Sequence, residues 1–183
     1  MKKKYLITII SLLLILIVKA QTPTTILTLD TDLSVMDMAV NGNDLYYSDF
    51  SLNGIYKIDT TEENPIPILV ASDLQGPRGL CIDGDDLYIA EQYTNKIIKL
   101  NITDDLPTST EDFITDIEQN SIHMAINGND FYYLTDDTST NGKLFKTDKN
   151  NPSTQIELIS GMGVPVGLQV DGDYIYYSEL LGD

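Results

Sequence analysis

The sequence predicts an all-β chain built of repeated four-stranded antiparallel sheets, and three observations carry that prediction. First, one pattern occurs four times: Asn41-Gly-Asn-Asp-Leu-Tyr-Tyr-Ser-Asp49, Asp83-Gly-Asp-Asp-Leu-Tyr-Ile-Ala-Glu91, Asn127-Gly-Asn-Asp-Phe-Tyr-Tyr-Leu-Thr135 and Asp171-Gly-Asp-Tyr-Ile-Tyr-Tyr-Ser-Glu179, with starts 42, 44 and 44 residues apart. Second, each copy opens on Asn-Gly or Asp-Gly, which supplies the positive φ angles of a tight hairpin. Third, the flanking strands are rich in Ile, Val and Tyr with a period of two, which excludes an α-solenoid. Four short strands at this repeat length describe the blade of a β-propeller; a β-sandwich would not repeat its sequence.

The elements of each blade follow in order. The first strand contains Met38-Ala-Val40, Leu80-Cys-Ile82, Met124-Ala-Ile126 or Leu168-Gln-Val170, and the second is the repeated segment itself. Its tyrosine pairs, such as Tyr46-Tyr47 and Tyr132-Tyr133, suit a strand packed on both faces. The third strand is Ile55-Tyr-Lys-Ile58, Ile97-Ile-Lys-Leu100 or Leu144-Phe-Lys-Thr147, with Lys57, Lys99 and Lys146 at one solvent-facing position. After connections around Pro65, Pro107 and Pro152, the fourth strand covers Ile68 to Ala71, Phe113 to Thr115 or Ile156 to Ile159. The blades span about 34–74, 75–118, 119–162 and an incomplete 163–183. Thr25 to Leu29 reads as an N-terminal outer strand. The expected architecture is therefore an open arc of about three and a half blades plus that strand, with unpaired edges and exposed apolar faces at its ends. A six-bladed ring at this period would need roughly 260 residues, so the chain is expected to be the N-terminal part of a longer protein.

Leu45 to Asp49 resembles the YWTD motif of six-bladed LDL-receptor-type propellers. Gly76-Pro-Arg-Gly-Leu-Cys-Ile-Asp-Gly-Asp-Asp-Leu-Tyr-Ile-Ala-Glu91 is similar to an NHL or YWTD repeat, with its Pro-x-Gly-Leu-x-hydrophobic-Asp start. The resemblance, to TolB-like propellers of the YWTD/NHL type, covers Ser34 to Asp183. The sequence departs from it in having no Trp at the YWTD position and Thr135 in place of the acid in the third blade. The resemblance implies the architecture and a protein that binds more often than it catalyses.

The first 20 residues read as a secretory signal peptide. Lys2, Lys3 and Lys4 precede the apolar run Tyr5 to Val18, and Val18-Lys19-Ala20 forms a small-x-small cleavage site before Gln21. That run falls short of the roughly 20 residues that span a bilayer, so no membrane insertion is expected after cleavage. The only Cys, Cys81, excludes a lipoprotein anchor, a disulfide framework and a multi-Cys metal site. The whole chain carries a net charge of −17, and cleavage removes four lysines and no acid. The mature domain at 21–183 would be repelled by nucleic acid and anionic lipid, and its acids form a solvated surface that supports solubility outside the cytoplasm. The expected location is secreted or extracytoplasmic: periplasm, cell surface or medium.

Candidate site residues come from the repeat positions near the channel mouth. Strand alternation assigns Met36, Met38 and Val40, with their equivalents Arg78, Leu80 and Ile82, to the blade junctions, and Asp37, Ala39, Gly79, Cys81, His123, Ala125, Gly167 and Gln169 to the channel wall. At one position the blades read Asp37, Gly79, His123 and Gly167. Asp37 and His123, the exceptions among glycines, either contact a ligand or satisfy nearby backbone groups. Arg78, the only Arg, either clamps an anion or pairs with an acid. Asp49, Glu91 and Glu179 close the second strands; they either hold a metal ion or substrate, or cap the next loop, and their regular repetition favours capping. Asp83 to Asp86 and Asp171 to Asp173 are read as hairpins, since no Glu completes a calcium loop. Asn101-Ile-Thr103 matches a glycosylation sequon. The Thr135 to Gly142 connection is three residues longer than its counterparts, where recognition is often placed. No catalytic constellation or cofactor motif is present.

These residues favour a secreted binding module for a protein, peptide or glycan. The alternative is an extracytoplasmic Ca²⁺-dependent lactonase-like hydrolase, resembling the gluconolactonase-type propellers, although no inner-strand Glu is present to join the ion. A purely structural module of a larger surface protein is the third possibility.

Overall fold

The computed structural model describes residues 25, 27, 28, 32–118, 120–136 and 141–180. The signal segment therefore lies outside the described residues, as do Ile26 and Leu29 of the expected outer strand, whose described members Thr25, Leu27 and Thr28 carry no regular structure. Residues 137–140 of the longer Thr135 to Gly142 connection also lie outside.

Every regular element described is a strand. The first blade orders β1 (Val35–Asn41), β2 (Asp44–Asp49), β3 (Gly54–Asp59) and β4 (Ile68–Ala71) from inside to outside. The second does the same with β5 (Pro77–Asp83), β6 (Asp86–Glu91), β7 (Lys96–Asn101) and β8 (Glu111–Ile114). The third uses β9 (Asn120–Asn127), β10 (Asp130–Asp136), β11 (Gly142–Asp148) and β12 (Asn151–Met162). A two-stranded sheet of β13 (Pro165–Asp171) and β14 (Tyr174–Glu179) begins the fourth. All pairings are antiparallel between chain neighbours.

The hairpins form as their dipeptides dictate. Gly42, Gly84, Gly128 and Gly172 have φ of 61°, 61°, 61° and 56°, where a side chain would be strained. On the second and third strands, Asp44 pairs with Lys57 at 2.7 Å and Asp130 with Lys146 at 2.7 Å, and Asp86 stands 3.7 Å from Lys99. The two closer lysines also lie over the rings of Tyr46 and Tyr132. This position is thus only partly solvent-facing: it staples the strands and covers an aromatic face.

Three apolar clusters, one per junction, form the core. Tyr46, Ile55 and Val70 of the first blade pack on Leu80, Leu87 and Ile89 of the second. Tyr88, Ile97 and Ile114 meet Met124, Phe131 and Tyr133 at the next junction, where Tyr88, Phe113 and Phe131 form a three-ring contact with centroids 4.8–5.1 Å apart. Tyr132, Leu134 and Leu144 pack toward Leu168, Val170 and Ile175.

The side-chain rows of the inner strands correct one expectation. Both rows pack at junctions: Leu80 and Ile82 belong with the first blade, Cys81 with the third. The blades stand on edge around the axis, so strand alternation also aims each row at the preceding or following blade, while Asp37, Ala39, Cys81, His123, Ala125, Gly167 and Gln169 of the expected wall do line the channel side. The channel side is lined by members of both rows.

The outer faces of the first and fourth blades carry exposed apolar side chains. Tyr46, Tyr88 and Tyr132 are 2%, 1% and 7% exposed, whereas Tyr176 at the same repeat position is 56% exposed. On the opposite face of the arc, Met38 is 60% and Val40 64% exposed.

Candidate functional site

The four inner strands surround an open groove of about 440 Å³, lined by Asp37, Met38, Ala39, Leu80, Cys81, Ile82, His123, Met124, Ala125, Ile126, Gly167, Leu168 and Gln169. Each inner strand enters this groove through a β-bulge. In β1, Met36 and Asp37 oppose Ser48 alone, because Val35 pairs with Asp49 and Met38 with Tyr47. Arg78 and Gly79 do the same in β5, Ile122 and His123 in β9, and Val166 and Gly167 in β13. A bulge bends its strand and re-aims its side chains, and such irregularities gather beside functional sites. The sequence does not show the bulges, but it does show their occupants: Asp37, Arg78 and His123 all fall within them.

The second bulge position reads Asp37, Gly79, His123, Gly167, and the first reads Met36, Arg78, Ile122, Val166. Asp37 and His123 face one groove from blades one and three. The Asp37 carboxylate accepts the N–H of Met38 at 2.8 Å and, across the junction, the N–H of Leu80 at 2.9 Å. Ser48 joins two bulges: its Oγ accepts the N–H of Asp37 at 3.1 Å and donates to the Arg78 carbonyl at 2.6 Å.

Burial holds the His123 imidazole below its ordinary range; the Asp37 charge pulls it back up and the Arg78 charge pushes it further down. The ring is thus neutral at neutral pH, with one donor and one acceptor nitrogen. Arg78 is half-buried, and no carboxylate among the described residues lies within ion-pair distance of it. The Cys81 thiol is pushed up to about 12 by burial, with the charges of Asp83 and Asp37 adding to it. That makes it a poor nucleophile.

The strand-end acids serve their own blades. Asp49 accepts the N–H groups of Ser34 at 3.4 Å, Ser51 at 2.9 Å and Leu52 at 3.1 Å. Glu91 accepts the N–H of Gln75 at 2.8 Å and the hydroxyl of Thr94 at 2.7 Å. Glu179 accepts the N–H of Gly163. In each case the carboxylate pins the loop that enters its blade, and none of the three lines the groove. Among the described residues, no group of three or more His, Cys, Asp or Glu side chains stands together as a metal site.

Comparison of the fold with solved structures decides the architecture. A chain of the nidogen/laminin complex superposes with a TM-score of 0.64 at 12% identity, over 81% of this chain and 73% of that one. This chain is a β-propeller arc. A catalytically inactive virginiamycin B lyase from Staphylococcus aureus, solved with quinupristin, is similar at a TM-score of 0.60 and 15% identity, over 79% of this chain and 48% of that one. A luciferin-regenerating enzyme is similar at 0.61 and 12%, over 79% and 52%. The arc spans about half the length of these two enzymes. No family model matches the chain, and no curated protein matches it in sequence.

Proposed function

We propose that this propeller is an extracytoplasmic binding module of the YWTD/NHL-repeat type that receives a protein, peptide or glycan in the groove where its inner strands enter. One observation carries this reading. The polar side chains that break the repeat, Asp37, Arg78 and His123, all occupy the inner-strand bulges, while the acids that obey the repeat cap their own loops. Scaffold residues recur in every blade because every blade needs them; a ligand needs a feature only where it touches. The groove is open and offers the neutral His123 ring, the Gln169 amide and the apolar faces of Leu80 and Met124, a mixture suited to recognition. The nidogen/laminin neighbour supports a propeller that works by contact with a partner.

The test is a peptide and glycan array probed with the mature protein beside His123→Ala and Gln169→Ala. Retention of an array ligand by the parent and its loss by the variants supports the groove. Retention by both variants places binding elsewhere. A stoichiometric divalent ion, together with turnover of a lactone, would favour the calcium hydrolase instead. Intact-mass measurement of the exported chain tests the location, with Gln21 expected at its N-terminus.

A further inference from the structure

We propose that Arg78 anchors an anionic group, a carboxylate or a phosphate, on the ligand that enters the groove; this rests on the binding role proposed above. The first support is the ion-pair pattern. Lys57, Lys96, Lys99, Lys143, Lys146 and Lys149 each have a carboxylate partner. The chain holds 28 acids and a single Arg, yet that Arg has no carboxylate partner among the described residues. An arginine in so acidic a chain finds a partner unless its surroundings keep the acids away.

The surroundings do so. Asp37, across the junction, directs its two oxygens to the N–H groups of Met38 and Leu80. Asp49, closing the neighbouring strand, is oriented by one oxygen, which accepts the N–H groups of Ser34, Ser51 and Leu52; its other oxygen is buried and has no hydrogen-bond partner among the described residues. Asp37 is therefore held by backbone donors at both oxygens, Asp49 at one, and neither pairs with the guanidinium, which keeps its five-donor fork, a match for the two oxygens of a carboxylate or phosphate.

Position and rigidity are the second support. Arg78 occupies the first bulge position, where blades one and four carry the apolar Met36 and Val166. Its carbonyl is fixed by the Ser48 hydroxyl at 2.6 Å, so the side chain starts from a held backbone. Arg78 does not itself line the groove, but it stands two residues before Leu80, which does, in the bulge through which β5 enters it. The charge of Arg78 reaches His123, so an anion held at Arg78 also changes the field at the imidazole.

The chain's composition makes the test direct, because the single Arg and the single His each give one side-chain signal. Isotope-labelled protein is titrated with acetate, succinate and inorganic phosphate at constant ionic strength set by sodium chloride, following the Arg78 Nε–H and His123 ring resonances. The expected result is a saturable shift of the Arg78 signal with a concerted change at His123. Whichever of succinate or phosphate saturates lower identifies the anion. Arg78→Gln, checked for folding in the same spectra, should weaken binding about tenfold or more as followed at His123, and Arg78→Lys should recover part of the loss. A shift linear to the highest concentration, or an Arg78→Gln titration equal to the parent's, overturns the inference. If a neutral array ligand moves the Ala125 and Gln169 amides and leaves Arg78 unmoved, the groove stands and the anion anchor falls. If anions saturate Arg78 while no array ligand moves the groove, the anchor stands and the wider binding role falls.

Discussion

The carboxylate of Asp37 in the first blade accepts the main-chain N–H of Leu80 in the second at 2.9 Å. Leu80 is buried and directly follows the Arg78–Gly79 bulge, where the regular ladder is interrupted. A buried N–H left without an acceptor costs about 1–3 kcal/mol. Asp37→Ala should lower unfolding stability by that amount, and Asp37→Asn, which keeps one acceptor oxygen, should lose less. The urea midpoint at unchanged slope measures both; equal losses would mean that the junction bond is not the cause.

His123 sets a pH dependence. Its folded pKa lies below the unfolded 6.5 because of burial, with Arg78 acting in the same sense and Asp37 against it. On acidification the unfolded chain takes up this proton first, so stability present above about pH 6.5 is lost as the pH falls through the folded pKa. His123→Gln should remove that component. The stability difference between parent and variant, measured by urea unfolding from pH 7.5 to pH 5, should change in the variant's favour. A difference independent of pH would refute the linkage.

Cys81 should be inert while the fold holds. With its pKa raised from 9.0 to about 12, the thiolate fraction at pH 8 falls about a thousandfold. Ellman's reagent should modify Cys81 in urea and leave the native protein nearly untouched. Rapid native labelling would place the thiol outside the junction.

The bare ends of the arc predict self-association. Met38 and Val40 at one end and Tyr176 at the other are exposed, at repeat positions whose equivalents pack at the blade junctions. Met38→Lys combined with Tyr176→Lys should reduce the concentration dependence of light scattering, with little change in thermal midpoint, since neither residue is buried. A double variant that scatters like the parent would move the sticky surface elsewhere.

Leu134 tests a junction from inside. It is fully buried against Leu144 and Met162. Leu134→Ala should cost about 2–5 kcal/mol, and Leu134→Met less than about 1.5 kcal/mol. Equal losses would indicate a site sensitive to any change of shape.

The blade pattern was legible because hairpin dipeptides and strand alternation are local: Gly42 and Gly84 take the φ their turns require, and the Tyr46 and Tyr88 positions bury as strand periodicity demands. The direction of the inner-strand rows was not legible, since alternation separates two faces without saying what each face meets. Nor was the lack of an acid at Arg78. Twenty-eight acids make a partner statistically easy, and only the hydrogen bonds that hold both oxygens of Asp37 show why the acid across the junction does not turn toward it. The bulges left a trace, the polar interruptions at Asp37, Arg78 and His123, but the extra residue in each becomes visible only once the strands are paired.

The succession of junctions also governs how the chain opens. The main strand contacts between blades run from each blade to the next, as in β1 with β5, β5 with β9 and β9 with β13. Energetically this is a row of units coupled to their nearest neighbours. Amide hydrogens in β6, β7, β9 and β10, held by a neighbour on each side, should exchange most slowly, whereas those of β1 and β14 should exchange through fraying that leaves the centre closed. The arc would then unzip from its two ends, and the Asp37 end of the groove would open before the His123 side does.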